Sequence, residues 1–251
     1  MTAAVLPRSV RAAIPAPRTS SEFVERAVQD TASVAYQRVL HRMVRREFRL
    51  VAELASWAAP DDAARAGEIT RHADLIGRVV LQHHATERDL LWPALFAGLP
   101  AVEQDAAREV LADWTSRAAL LDHQLRDLST AARQWAVAAT PPARDPFVRA
   151  VTRVADFEEA HTAAEEAQLF PLLNHQLPAA RWTSVSRAAR TRLSGREQML
   201  VLGLTLEDAC ALDRARLLAG LPRDARTAWR MFGHRNFCAA VVRLRGAPPA
   251  R

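Results

Sequence analysis

The chain has 251 residues, 49% hydrophobic and 25% charged, which suits one sizeable folded domain with an accessory region and excludes disorder over the bulk of it. Its net charge of +6 comes from 34 basic residues, all of them arginine, against 28 acids. The longest apolar run, MLVLGLTLE at 199–207, falls far short of the roughly 20 residues of a membrane span, so no transmembrane helix is expected.

The charge is uneven along the chain. Residues 21–179 hold 17 arginines against 23 acids, whereas residues 180–251 hold 14 against 5. Arginine without lysine reads as compositional bias and a solvated face, so nucleic-acid binding is not expected, and a protein partner or homo-oligomer contact would fall in 180–251.

In chain order, residues 1–20 carry three arginines and three prolines with no apolar h-region, which reads as a disordered tail and not a secretory signal. A first helix opens near Ser21 and runs through SVAYQRVLHRMVRREFRLVAELASW, stopping at Ala59-Pro60-Asp61-Asp62. A second continues to about Phe96, before Gly98-Leu99-Pro100, and a third spans 101–138. The stretch ATPPARDP at 139–146 breaks it, and a fourth runs from near Pro146 to Gln176. Pro93 and Pro171 should kink their helices or end them early, because each removes a backbone donor.

Four long helices with short connections over 21–179 predict an all-α, up-down-up-down antiparallel four-helix bundle. Residues 180–251 read as an Arg-rich extension of two or three additional C-terminal helices, packed on the bundle or on a second subunit. One is capped near Thr205 and stopped at Gly220-Leu221-Pro222; the last carries Trp229, Phe232 and Phe237 as packing residues. Two cysteines, Cys210 and Cys238, imply no disulfide framework, and a reducing cytoplasmic location follows as the expectation.

The chemistry concentrates in one duplicated pattern. HHATERDLLWP at 83–93 and HTAAEEAQLFP at 161–171 share His, Glu and Pro at the same offsets: His83, Glu87, Pro93 and His161, Glu165, Pro171. On a helix, residues four apart lie one turn apart on one face, so each His–Glu pair can reach one metal centre. Antiparallel neighbours bring residues level when both are equally far from the connecting loop. The midpoint of His41 and His83 falls at 62, that of His123 and His161 at 142, and that of His83 and His123 at 103, all in or beside predicted loops.

The candidate metal ligands are therefore His41, His83, Glu87, His123, His161 and Glu165. Four imidazoles and two carboxylates facing one centre would be costly without a cation. One ion is too few for six ligands, so two ions bridged by Glu87 and Glu165 are expected; mixed imidazole and carboxylate donors without thiolate suit iron, and manganese or zinc less firmly. Ferritin-like sites differ, using Glu-x-x-His and more carboxylate.

These residues, with LLWP and LFP following the paired motifs, resemble the haemerythrin-like (HHE cation-binding) domain family over roughly residues 30–178. The resemblance implies two non-haem iron ions (Fe) with an oxo or hydroxo bridge and an affinity for dioxygen or a related small ligand. Respiratory carriers of the family supply two histidines four apart from the third helix. Here His123 has Ala119 and Asp127 at that spacing, so the site is more open unless Asp127 or a water fills it. The function this implies is a di-iron protein that binds or senses dioxygen, nitric oxide or a peroxide. The alternatives are a di-iron peroxidase or oxidase, and an iron-responsive protein acting through its basic extension.

The remaining polar residues read more plainly. His84, rotated about 100° from His83, belongs at the surface edge, and His72 in the core or at its boundary. Glu158 and Glu166 either orient a histidine or lie on a solvated face. Pocket walls should come from Val44, Val80, Leu90, Leu120, Phe157 and Leu169, one turn from the ligands.

Overall fold

The computed structural model describes residues 30–249, and every element in them is a helix. The tail expected over 1–20 and the start of the first helix near Ser21 lie outside the described residues. Four long helices come first: α1 (Ala32–Ser56), α2 (Ala63–Thr86), α4 (Ala101–Ala138) and α5 (Pro141–Gln176). A π turn (Glu87–Leu91) joins α2 to the short α3 (Trp92–Phe96), and the extension holds α6 (Ala179–Ala188), α7 (Gly195–Glu207), α8 (Ala211–Gly220), α9 (Arg223–Ala228) and, after a second π turn (Trp229–Gly233), α10 (His234–Arg245).

Each long helix packs on two others: α1 on α2 and α5, and α4 on α2 and α5. Two connections meet at one end, where the Asp61 N–H donates to the Ala139 carbonyl at 3.1 Å. At the other end the Thr31 N–H donates to Asn174 Oδ1 at 2.9 Å, and a Cβ on Gly98 would meet the Gln176 carbonyl at 2.7 Å.

The prolines act differently from the expectation. Pro93 neither ends its helix nor leaves a plain kink: Trp92 N–H donates to the Glu87 carbonyl five residues back, so a wider turn just before the proline lets the helix continue to Phe96. Pro171 sits inside α5, which runs on to Gln176. The break at 139–146 is also shorter than expected. Ala139 adopts a left-handed conformation with φ 53°, and Pro141 opens α5 at its first position, where a missing N–H costs no helical hydrogen bond.

In the extension, the expected helix across Thr205 is two helices, with Thr205 inside α7 and Cys210 at the start of α8. Trp229 and Phe237 are buried as expected, but Phe232 is 50% exposed. The extension packs on α1 through α7 and α8, and Leu204, Leu206, Phe237, Val241 and Leu244 belong to the same apolar cluster as Phe48, Ile69 and Ile76.

Gly203 makes that packing possible, since an added Cβ would fall 2.3 Å from ring carbons of Phe237. Gly203→Ala is therefore expected to destabilise by about 2 kcal/mol through overpacking. In a thermal melt this should read as a drop of about 4–8 °C for a chain of this size.

A second apolar cluster, containing Val34, Leu91, Trp92, Leu111, Trp114 and Leu169, is separate from the first. Along α1, α2 and α5 a polar stretch divides the two: Gln37 and His41, then His83 to Glu87, then Glu158 to Glu165. These polar residues between the two clusters form the candidate site.

Candidate metal centre

Three helices and one π turn supply the donors. From α1 comes His41, from α2 His83, from the start of the π turn that follows it Glu87, one turn on, and from α5 His161 with Glu165 one turn on. His41 Nε2 lies 3.3 Å from His83 Nε2 and 3.7 Å from Glu165 Oε2, while His83 Nε2 lies 3.4 Å from Glu87 Oε1. His161 Nε2 is 4.0 Å from Glu165 Oε2. One ligand atom each of His41, His83 and Glu165 lie within 4.8 Å of one another, a spacing that fits a metal ion.

The two facing Nε2 atoms are informative. Two neutral imidazoles can share that approach only if one carries its proton there; otherwise both lone pairs point at a shared positive charge. A cation satisfies both nitrogens and the nearby carboxylates at once.

Other buried atoms carry the same message. Glu165 Oε1, Glu158 Oε2 and His161 Nδ1 have no hydrogen-bond partner in the protein. Burial pushes the Glu87 carboxyl up to about 7, with Glu158 adding to the rise, even though Gln37 Nε2 donates to Glu87 Oε1 at 2.7 Å. Glu165 is raised well above the usual range by burial and by Glu87 beside it. Burial lowers His161 to about 3 and His83 well below its usual value, the surrounding histidines adding to both effects. The protein thus disfavours charge on every one of these groups by itself, and a cation among them would reverse that electrostatics.

Around the donors, the residues that hold them are visible. Glu166 Oε1 lies 3.4 Å from His41 Nδ1 and 3.0 Å from Arg45 Nη2, so this carboxylate sets the orientation of a ligand imidazole. His41 stacks on Phe170, and His161 packs between Trp114 and Phe157, with ring centroids 5.0–6.0 Å apart. Beside the donors is a cavity of about 60 Å³, bounded by Glu87, His161 and Glu165 on one side and by Trp92, Trp114 and Ala118 on the other.

The expected ligand from the third long helix is not there. The His123 side chain is 64% exposed and its nearest acid is Asp127, 3.9 Å away and itself 56% exposed. Neither reaches the centre. The buried stripe of α4 runs through Ala107, Leu111, Trp114, Leu121, Leu125, Leu128, Ala132 and Trp135, at alternating steps of three and four with Ala118 in the gap. His123 stands two residues off that stripe. The same register exposes Leu120, which was expected in the pocket wall, and buries Leu121 in its place. Equal distance from a connecting loop sets the level along a helix but not the angle around it.

His84 and Glu158, read otherwise, belong to the site, as does Asp122, to which the sequence assigned no role. His84, expected at the surface edge, is 4% exposed, and its Nδ1 lies 2.7 Å from Asp122 Oδ1 on α4. Burial opposes a charge on His84, yet the Asp122 hydrogen bond and the carboxylates of Glu158, Asp122 and Glu165 raise its pKa. Glu158, for which a solvated face was one reading, is 2% exposed and raised by burial. The stripe of α4 was the signal that could have found Asp122, which adjoins Leu121; nothing in the sequence distinguished His84 from a surface histidine. His72 is in the core as expected, hydrogen-bonded to Glu47 Oε2 at 2.7 Å.

A family model described as the Hemerythrin HHE cation binding domain matches residues 33–173, more than half of the chain. No curated protein and no solved structure matches it. Among the described residues, no helix is long and apolar enough to cross a membrane.

Proposed function

Since this chain belongs to the hemerythrin HHE cation-binding domain family, we propose that α1, α2, α4 and α5 form an up-down-up-down antiparallel bundle holding two non-haem irons. The ions would be held by His41, His83, Glu87, His161 and Glu165, with the two carboxylates shared between them. The observation that carries this reading is the meeting of His41, His83 and Glu165, one ligand atom of each within 4.8 Å of the others, beside the buried Glu87 and His161, with Glu165 Oε1 and His161 Nδ1 unpartnered. Imidazole and carboxylate donors without thiolate favour iron over softer-ligand metals.

The centre binds or senses a small ligand such as dioxygen, nitric oxide or a peroxide. When bound, the irons supply open coordination positions and a redox couple. The chain supplies the rest: a cavity of about 60 Å³ admits a molecule of a few atoms, and Trp92 and Trp114 add apolar surface to its lining. Without a ligand from α4, the side of the centre facing that helix is the open side.

Anaerobic Fe(II) loading is expected to give about two irons per chain, with an optical spectrum that shifts on adding azide or nitric oxide. Absence of iron after loading would overturn the assignment. Sustained consumption of peroxide with a reductant would move the reading to a di-iron peroxidase or oxidase, because a binding protein gives only stoichiometric uptake.

A further inference from the structure

His83 and His84 are adjacent on α2 and so point about 100° apart around it. His83 is turned toward α1, where its Nε2 meets that of His41 at 3.3 Å. His84 is turned toward α4 and α5: its ring centroid lies 5.8 Å from that of His161, and its Nδ1 is held by Asp122. Its side chain lines the same cavity as Glu87, His161 and Glu165.

We infer that His84, and not His123, is the fourth imidazole of the centre, serving the ion on the His161 side, with Asp122 as its positioning residue. The inference rests on the di-iron reading above. With Nδ1–H donated to Asp122, the neutral tautomer leaves the Nε2 lone pair as the only ring nitrogen free for a metal. A carboxylate bound to the far nitrogen of a histidine is the usual arrangement behind a metal ligand, where it fixes the ring and raises its basicity.

The assignment also explains the doubled histidine. One ion would be held by His41 and His83 and the other by His84 and His161, with Glu87 and Glu165 available to both. Two imidazoles would then fall to each ion, α2 supplying two of the four and α4 only the group that aims one of them. Asp122 does for α4 what a ligand would have done: it ties that helix to the centre.

The test is anaerobic Fe(II) titration of the full chain, read by iron count and by electron paramagnetic resonance. The wild type should take two irons. His84→Ala should keep one at near wild-type affinity and lose the second by at least 100-fold, giving the signal of a single iron in place of a coupled pair. Imidazole added to His84→Gly should restore the second iron. Asp122→Asn, which keeps the ring but not its charged partner, should weaken the second iron by about 10–100-fold. His123→Ala should keep both.

Circular dichroism of the metal-free variants separates loss of a ligand from loss of fold, and Asp122→Asn remains informative if His84→Ala does not fold. Two irons at wild-type affinity in His84→Ala, or one lost in His123→Ala, would overturn the inference and leave the di-iron reading standing. An iron-free wild type would overturn both.

Discussion

Changing Glu87 and Glu165 together to glutamine is expected to abolish iron uptake and, at pH 8, to make the metal-free protein more stable. Both carboxylates are buried, and the folded protein resists ionising either. For Glu87, with a folded pKa of about 7 against an ordinary value of 4.5, that resistance is worth about 3 kcal/mol. The sign follows from the raised folded pKa. Below pH 4.5 the group is protonated in both states and contributes nothing; as pH rises toward 7 the unfolded state ionises first, and stability is lost.

The histidines pull the other way and so set the pH of the comparison. His161 and His83 have folded pKa values below 6.5, so they destabilise the metal-free protein as pH falls, and above pH 7 they are neutral in both states. At pH 8 the penalty on Glu87 and Glu165 is therefore no longer accompanied by one from His83 or His161. The double glutamine variant should melt above the metal-free wild type by about 6–12 °C, while only the wild type gains stability on adding iron. Gln37 keeps an acceptor at position 87, since the glutamine carbonyl can take its N–H. A variant that binds iron like the wild type, or melts below the metal-free wild type at pH 8, would sink the idea that these carboxylates are held for a cation.

The two paired motifs were legible because helical spacing alone decides whether a His and a Glu four apart share a face, and the backbone does not have to be seen for that. The third long helix shows the limit. Its ends at 101 and 138 were readable from Pro100 and from the break that follows, but its rotation was not settled by counting residues to a loop. Rotation is set by which stripe packs, and Trp114, Leu121, Leu125 and Trp135 set it with His123 outside.

Proline was the other difficulty. A proline removes one donor wherever it sits, yet the cost depends on what the neighbouring carbonyl does. The π turn at Glu87–Leu91 absorbs that cost before Pro93, and Pro141 occupies a position where there is none. Buried polar pairs such as His84 with Asp122 join helices 38 residues apart in sequence, and no local pattern marks them.

Glu47 shows what a buried carboxylate does when its cations are built in. Glu47 is fully buried on α1, yet its pKa is brought down to about 2: burial pushes it up, and His72 together with the charges of Arg46 and Arg245 more than reverses that. Glu47 accepts from His72 Nε2 and Arg46 Nε at 2.7 Å and from Arg245 Nη2 at 2.8 Å. Arg245, on α10, also donates to Glu207 on α7 at 2.7 Å, and Arg46 pairs with Asp208 just beyond it. The network joins α1 and α2 to the extension through one anion.

Glu47→Gln is accordingly expected to cost about 3 kcal/mol at pH 7, within the range for removing one member of a buried pair, because two guanidinium groups lose their common counter-charge. The depressed folded pKa fixes the pH window: the stabilisation is present above pH 4.5 and disappears as pH falls toward 2, so wild type and variant should converge in acid. Thermal unfolding should remain one transition that moves as a whole, since Leu204, Phe237 and Leu244 of the extension share a cluster with Phe48 and Ile76. Two transitions, of which only one responds to Glu47→Gln, would show that residues 180–251 fold apart from the helices that carry the metal site.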